Sequence, residues 1–535
     1  MTDRLTPGDM ARAGKEPLLH LEPADLKPLP APLDEQTALP SFKPLSSQAR
    51  EKFVCELDDT CAVNFPRPKS PEEERELVVK FLAGLDKLFL AENNWAFLQP
   101  LVLTMEHCAK CQTCSEACHI YESSGKAELY RPTYRSEIMR RLYFKYVKHG
   151  GFLSAWQHGD IECNWPLVAR LMELSYRCNL CRRCAQTCPI GADNGLVAHE
   201  LRKIFSMEMG IAPKELHEKG SMLQLEVGSS TGMSAMVVKD NLEFIDEDTS
   251  EKTGIKVETP WDQDGADVLL IHNAGEILAW PENPGAFAVI LNAAGITWTL
   301  SSELAGYDSI NYGVWYDDAQ FARVALKHIE AAKKLKVKKI VLGECGHAHK
   351  ALTVIADRLL SGDMNIPRES AMTLLHDIVM HDRIRLDPSR NDFPVTLHDP
   401  CNLVRLMGIV EPQREILRKI APRFREMWPH GVDNYCCGGG SGFAIMSGNN
   451  FADWRAQVSG RKKLEQILNA FKDCLDPETP KYVCAPCSNC KGQLRDLINY
   501  YDLWEKHRIL YGGLAELIVN AMVDVKPGFI EWEWH

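Results

Sequence analysis

No hydrophobic run in the chain is long enough to cross a membrane. The longest apolar stretches, such as Ala288–Leu300, fall short of the roughly 20 residues a spanning helix needs. If the protein works at a membrane, it is expected to dock to something that spans it. An excess of positive charge is also missing: 61 basic residues against 73 acidic leave a net charge of −12, which speaks against general nucleic-acid binding. The start, Met1-Thr2-Asp3-Arg4, lacks the apolar core of a signal peptide, so a secreted disulfide framework is not expected. What the sequence does have is cysteine, 19 in 535 residues, best read as reduced ligands of metal sites. With 45% hydrophobic and 25% charged residues, the composition is that of a soluble protein. The length calls for about two to four domains.

Residues 1–69 read as an extended Pro-rich arm, as in Pro28-Leu29-Pro30-Ala31-Pro32-Leu33, either loose or wrapped around a partner subunit. From 70 to 215 the pattern is helical. Ser70 followed by Pro71-Glu72-Glu73-Glu74 is a helix start with acid at the positive end of the dipole, and Leu77, Phe81, Leu85 and Leu88 recur at helical spacing. Residues 216–265 mix Gly, Ser and charge and read as a linker. Between 266 and 505 short apolar runs at Val268–Ile271, Lys339–Leu342, Pro394–Leu397 and Tyr482-Val483 alternate with helical stretches, which predicts a parallel α/β layer. The segments beginning at Asp267 and Lys339 resemble those beginning at Pro394 and Lys481, so this domain is expected to hold two repeats. Residues 506–535 read as a tail. The expected fold class is therefore a helical domain followed by an α/β domain.

Two cysteine runs lie in the helical domain: Cys108-x2-Cys111-x2-Cys114-x3-Cys118 and Cys178-x2-Cys181-x2-Cys184-x3-Cys188-Pro189. In this cadence three thiolates of a tight loop face one iron–sulfide cube, while the fourth cysteine, leaving on a helix, reaches the other cube. One cubane [4Fe–4S] cluster is accordingly assigned to Cys108, Cys111, Cys114 and Cys188. The second takes Cys178, Cys181, Cys184 and Cys118. Zinc prefers two paired Cys-x2-Cys units and fits this spacing less well. The first run ends in His119 where proline is usual.

The α/β domain carries a different pattern: Cys401 in His398-Asp399-Pro400-Cys401, then Cys436-Cys437-Gly438-Gly439-Gly440, then Cys484-Ala485-Pro486-Cys487-Ser488-Asn489-Cys490. Adjacent cysteines suit a large, open iron–sulfur assembly better than a small tetrahedral site, and glycines let the backbone come close. This succession resembles the CCG domain of heterodisulfide reductase catalytic subunits. The resemblance implies a noncubane [4Fe–4S] cluster on Cys401, Cys436, Cys437, Cys487 and Cys490, which cleaves or forms sulfur–sulfur bonds. Cys484 is a possible further neighbour. In the first repeat there is no cysteine near Gly275 and no Cys-Cys-Gly; only Cys345 survives near the closing position, as a core residue or a group facing the substrate channel. One noncubane cluster is therefore expected, with the first repeat degenerate.

The order of modules resembles the DsrK-type subunits of the DsrMKJOP membrane complexes. That resemblance implies a heterodisulfide reductase-like oxidoreductase acting on sulfur–sulfur bonds in dissimilatory sulfur metabolism. Its implied partners are a haem b membrane subunit (DsrM-like) and the small cysteine-bearing sulfur carrier DsrC. Its implied location is the cytoplasmic side of the membrane, held peripherally through partner subunits. A proton donor near the cluster is expected from His398, Asp399, His347 or His349, and positive charge for the outgoing thiolate from Arg405 or Lys491. The alternative is an electron-relay subunit of a lactate, glycolate or glycerol-3-phosphate oxidising complex, which joins the same motifs without substrate chemistry. A redox sensor using Cys436 and Cys437 as thiols is a further alternative. Arg131, Arg135, Arg140, Arg141, Lys145 and Lys148 form a basic stretch, read as a solvated helix face or a docking face. Cys55, Cys61, Cys163 and Cys474 are read as structural. Trp532 and Trp534 are expected either on another subunit or in this chain's own core.

Overall fold

The computed structural model describes residues 26–31, 33–34, 42–54, 60–92, 98–446 and 448–534. Most of the expected N-terminal arm, Pro32 included, and Cys55 lie outside the described residues. The chain divides into two units. One comprises 1–216, 315–318 and 438–463; the other comprises 217–314, 319–437 and 464–535.

The first unit is helical. Ser70 caps the helix Pro71–Leu88 by accepting from the Glu73 amide, three glutamates fill the first turn, and Leu77, Phe81, Leu85 and Leu88 are buried, as the spacing predicts. The helices Pro132–Leu142, Trp165–Ser175 and Asn194–Lys203 pack with it around the two cysteine loops. In the described part of the arm Leu26, Leu29, Leu33 and Leu45 are buried, and Arg461 Nε donates to the Lys27 carbonyl.

The second unit contains two four-stranded sheets. Strands β1 (Val268–Ile271), β2 (Trp298–Thr299), β3 (Lys339–Leu342) and β4 (Arg368–Ser370) form one, in the order β2-β1-β3-β4. Strands β5 (Val395–Leu397), β6 (Phe424–Glu426), β7 (Lys481–Cys484) and β8 (Ile509–Gly512) form the other, in the order β6-β5-β7-β8. Every pairing is parallel. The two orders are the same, so the repeat read in the sequence is a repeat of topology, with β1 and β5, and β3 and β7, in equivalent central places. The central strands are almost wholly buried, which is why they read as continuous apolar runs.

One apolar core runs through both halves. The helix Glu282–Ala293, after β1, packs on Leu514–Ala521, after β8. Reciprocally Pro412–Ile420, after β5, packs on Ala371–Met380, after β4. Each half thus covers the other's sheet in a pseudo-twofold exchange. The segment expected as a linker holds a 19-residue helix, Ala235–Thr253, capped by Ser234, whose Val238, Leu242 and Ile245 enter this core. Its mixture of charge and small residues is one solvated face plus a narrow apolar seam. The expected tail likewise supplies β8 and a core helix. Trp532 meets Phe393 edge-on at 4.8 Å, and Trp534 packs on Trp504 and Tyr511.

Candidate iron–sulfur centres

In the first unit the two cysteine runs have the same backbone. Lys110 and Leu180, at matching positions, have φ of 56° and 51°; Gln112 and Arg182 have 69° and 58°. Left-handed conformation at non-glycine residues is unfavourable by roughly 1–2 kcal/mol each. Its recurrence at both places shows that the loops are bent to turn their thiols inward. Cys108, Cys111, Cys114 and Cys188 line one small cavity of about 30 Å³ with Pro189 and Thr133. Burial, then the neighbouring Cys108, Cys188 and Cys111, push the Cys114 thiol up to about 11. Cys118 instead faces Cys181 and Cys178 and is pushed up to about 12, mainly by burial. Cys184 is raised well above the thiol range by burial and by a neighbourhood that includes Cys181, Cys178 and Cys118. The eight thiols therefore fall into two groups of four, each taking its fourth cysteine from the other run.

Beside the second group stands a contact the sequence did not announce. His119, in the place where proline is usual, hydrogen-bonds through Nε2 to Asn179 Oδ1 at 2.8 Å. The Asn179 amide donates to the Gly438 and Gly440 carbonyls at 3.1 and 3.3 Å, and Ser459 Oγ donates to Asn179 Oδ1 at 2.9 Å. Gly438 has φ of 91°, and a Cβ there would lie 2.5 Å from the Ser459 backbone. The glycine after the paired cysteines is thus demanded by a close backbone crossing as well as by its φ.

In the second unit the sulfur cluster forms at the carboxyl ends of β5 and β7, the switch point where a parallel sheet opens a crevice. His398, Cys437 and Cys490 bring their donor atoms within 4.8 Å of one another. Hydrogen bonds with Cys436 and Cys490, and with His398, hold the Cys437 thiol well below the usual range. Cys487 is lowered chiefly by its hydrogen bond with Cys490. Cys490 is raised by its bonds with Cys437 and Cys487. Four of the five expected ligands form one continuous thiol network. The Cys401 loop passes beside it: a Cβ on Gly346 would lie 3.3 Å from Cys487 Sγ, 3.5 Å from Pro400 Cβ and 3.8 Å from Asn402 Cβ.

Other expectations are corrected. Asp399 is no free proton donor, because Arg414 grips its carboxylate with two bonds of 2.7 and 2.5 Å, both side chains buried. Asp399 also receives the Gly431 amide at 2.7 Å, and its carbonyl receives Asn434 Nδ2 at 2.9 Å, tying the Cys401 loop to the segment before Cys436. His347 is bonded to the Asn311 carbonyl and lowered by burial to about 3; His349 bridges the Cys345 carbonyl and Ser370 Oγ and is lowered by burial to about 4. Both imidazoles are neutral at physiological pH and structural. Arg405 caps the carbonyls of Val432 and Asn434. Lys491 is buried among Glu276, Glu344 and Glu516 at 3.6, 3.9 and 3.8 Å, so its charge is already balanced. Cys484 belongs to the apolar core beside Glu344 and Glu516 rather than to the thiol network.

Cys345 lies next to Cys487, accepts from Asn273 Nδ2 at 3.4 Å and is pushed up by burial to about 12. Counting from the equivalence of Cys345 and Cys487, Ala348 stands in place of Cys490 and His349 in place of Lys491. The first half therefore lacks the thiols to close a second centre. The carboxylates around Lys491 escaped the sequence reading, since nothing at their spacing links Glu276, Glu344 and Glu516. Cys61 is buried and Cys163 and Cys474 are half-buried; Arg135 of the basic stretch is itself buried.

Residues 104–192 match the 4Fe-4S dicluster domain family and residues 395–495 the cysteine-rich CCG family. An Hdr-like menaquinol oxidoreductase iron-sulfur subunit 2 of Archaeoglobus fulgidus is 26% identical over 502 residues, 85% of this chain and 84% of that one. Over most of its length the chain is thus similar to an Hdr-like iron–sulfur subunit. A dihydromethanophenazine:CoB–CoM heterodisulfide reductase subunit of Methanosarcina mazei is 27% identical over 347 residues, 64% of this chain and 79% of its own. A protein described as "Probable membrane-anchored ferredoxin" in Chromohalobacter salexigens is 24% identical over 332 residues, 59% of this chain and 46% of its own. The dicluster family implies two cubane clusters, and the CCG match suggests an additional cluster. The residues present fit such a cluster: the thiols of Cys437 and Cys490 converge with the His398 imidazole and no carboxylate, and glycine at 346 spares Cys487 Sγ a Cβ that would lie 3.3 Å away. No helix among the described residues is long and apolar enough to cross a membrane.

Proposed function

We propose that this chain is a DsrK-type catalytic iron–sulfur subunit, passing electrons between a haem b membrane subunit and the disulfide or trisulfide of a DsrC-like sulfur carrier. The observation that carries the reading is the buried network of Cys436, Cys437, Cys490 and Cys487 around His398. Cys108, Cys111, Cys114 and Cys188 would hold one cubane, Cys178, Cys181, Cys184 and Cys118 the other, and Cys401, Cys436, Cys437, Cys487 and Cys490 the noncubane centre. When bound, the cubanes supply one-electron transfer and the noncubane centre supplies a place where a sulfur–sulfur bond is broken or made. The chain's own contribution is positional. The Asp399–Arg414 pair holds the Cys401 loop against the segment leading to Cys436, the Gly346 amide donates to Cys487, and His398 lies beside Cys437 and Cys490 as a group able to carry a proton.

Paramagnetic resonance of the thiol-treated protein, oxidised stepwise with and without the carrier, tests this reading. A signal that appears on mild oxidation, responds to the carrier and vanishes in Cys436→Ala is expected. Two reducible cubanes alone, with no oxidised signal and no iron lost in Cys436→Ala, would leave an electron-relay subunit without substrate chemistry.

A further inference from the structure

The first unit exposes a group of large apolar side chains that nothing among the described residues covers. In the helix Phe152–His158 no residue is buried; Phe152, Leu153 and Trp156 are 85%, 73% and 78% exposed. Spaced at i, i+1 and i+4, they share one face of the helix. Aromatic side chains held in water on a short, otherwise polar helix mark an interaction surface.

The position of this helix gives it meaning. Its last residue, His158, stacks on Phe144 at 3.7 Å, and Arg140 lies over the same ring. A Cβ on Gly159 would touch the Arg141 guanidinium, Arg141 pairs with Glu137 at 3.1 Å, and Glu137 pairs with Lys110 at 2.8 Å. Lys110 lies in the loop between Cys108 and Cys111, and Cys111 is exposed. Ile190, two residues beyond Cys188, is also exposed. The apolar helix therefore stands beside the mouth of the first cubane, two ion pairs from its loop.

The rim is cationic at Lys110 and Lys148, whereas at the Lys145–Asp160 pair the carboxylate is the more exposed partner, 70% against 39%. Lys110 and Lys148 are 45% and 52% exposed, whereas their partners Glu137 and Glu106 are 16% and 29% exposed. The ammonium groups face solvent and the carboxylates lie beneath them. Lys145 is anchored to the Ile161 carbonyl and Asp160. A complementary surface would be apolar at its centre and acidic at its edge.

We propose that Phe152, Leu153 and Trp156, rimmed by Lys110 and Lys148, form the docking face for the membrane-embedded electron-transfer subunit, and that electrons cross there to or from the cubane on Cys108, Cys111, Cys114 and Cys188. A protein is favoured over lipid because the face adjoins a redox centre, and a bilayer offers nothing to exchange electrons with it. The inference rests on the proposed function, since it needs a membrane redox partner.

The test compares the complex purified from native membranes with its counterpart carrying Phe152→Ser, Leu153→Ser and Trp156→Ser. All three side chains are exposed, so the chain is expected to fold, keep its iron and show unchanged cubane signals when reduced by dithionite. Expected are loss of the chain from the washed membrane fraction and at least a tenfold slower reduction of the cubanes by menadiol. Lys148→Glu alone is expected to weaken retention and make it more sensitive to salt. Retention and menadiol reduction within twofold of the parent would overturn the inference while leaving the proposed function standing. A parent complex whose cubanes menadiol cannot reduce would remove the proposed function itself. Sedimentation of the isolated chain with protein-free phosphatidylethanolamine–phosphatidylglycerol vesicles, abolished by the triple substitution, would overturn the protein partner in favour of lipid.

Discussion

Arg414→Met removes the guanidinium from Asp399 while keeping most of the side-chain volume. Both side chains of the pair are 1% exposed, and the two bonds of 2.7 and 2.5 Å make it bidentate. Deleting one member of such a pair leaves an uncompensated buried charge, at a cost of about 3–5 kcal/mol. Glu426 loses the same guanidinium, but it is partly exposed and adds at most about 1 kcal/mol. The damage is local: Asp399 holds the Gly431 amide, Arg414 also bonds the Val410 carbonyl, and both flank the loop that presents Cys401. The proposed noncubane centre should therefore become labile while both cubanes persist. Urea unfolding followed by circular dichroism gives the stability, and iron analysis with paramagnetic resonance gives the centres. Arg414→Met with Asp399→Asn should recover a large part of the loss, because no buried charge is then orphaned. A loss below about 1 kcal/mol, or a double variant no better than the single one, would refute the argument from a desolvated pair.

Asn179→Ala should destabilise the first unit by about 2–4 kcal/mol, since it strips partners from His119, Ser459 and two carbonyls. Chelator-driven iron loss is expected to be faster from the second cubane than from the first. Gly438→Ala forces a Cβ against the Ser459 backbone at a φ of 91° and should cost about 2–5 kcal/mol by chemical denaturation. Burial and the neighbouring Glu516 push the Glu344 carboxyl up to about 8 from 4.5. The folded chain therefore holds that proton more tightly than the unfolded one. The contribution is full below about pH 4.5 and is lost as pH rises through 8, so stability should fall across that window by a few kcal/mol. Glu344→Gln should flatten the fall; an unchanged pH profile would show that Lys491 compensates the carboxylates completely.

Spacing alone determined a large part of this protein. A loop of three cysteines followed by a fourth on a helix leaves few geometries for a cube of iron and sulfide, so the crossed grouping of eight thiols was legible from one-dimensional order. Continuous apolar runs at Val268–Ile271 and 340–342 read as buried parallel strands, because a strand covered on both faces has no reason to alternate. The repeat was visible for the same reason: two sheets of one topology place the same burial demand on equivalent residues. The helix in the segment read as a linker was missed because its apolar seam is narrow and its other face is fully solvated.

Tertiary structure decided what depends on which side chains meet. Asp399, His347 and His349 carry groups able to move protons, yet one is locked to Arg414 and two are buried as neutral rings. Only packing distant segments together sets those fates. Lys491 follows Cys490 and reads as a free cation, but folding surrounds it with Glu276, Glu344 and Glu516, drawn from three places far apart in the chain. His119 looked like a departure from a motif and is a hydrogen-bonding partner of Asn179. Covalent order sets what a loop can ligate, because its geometry is local; charge, protonation and access are set by neighbours that only the fold brings near.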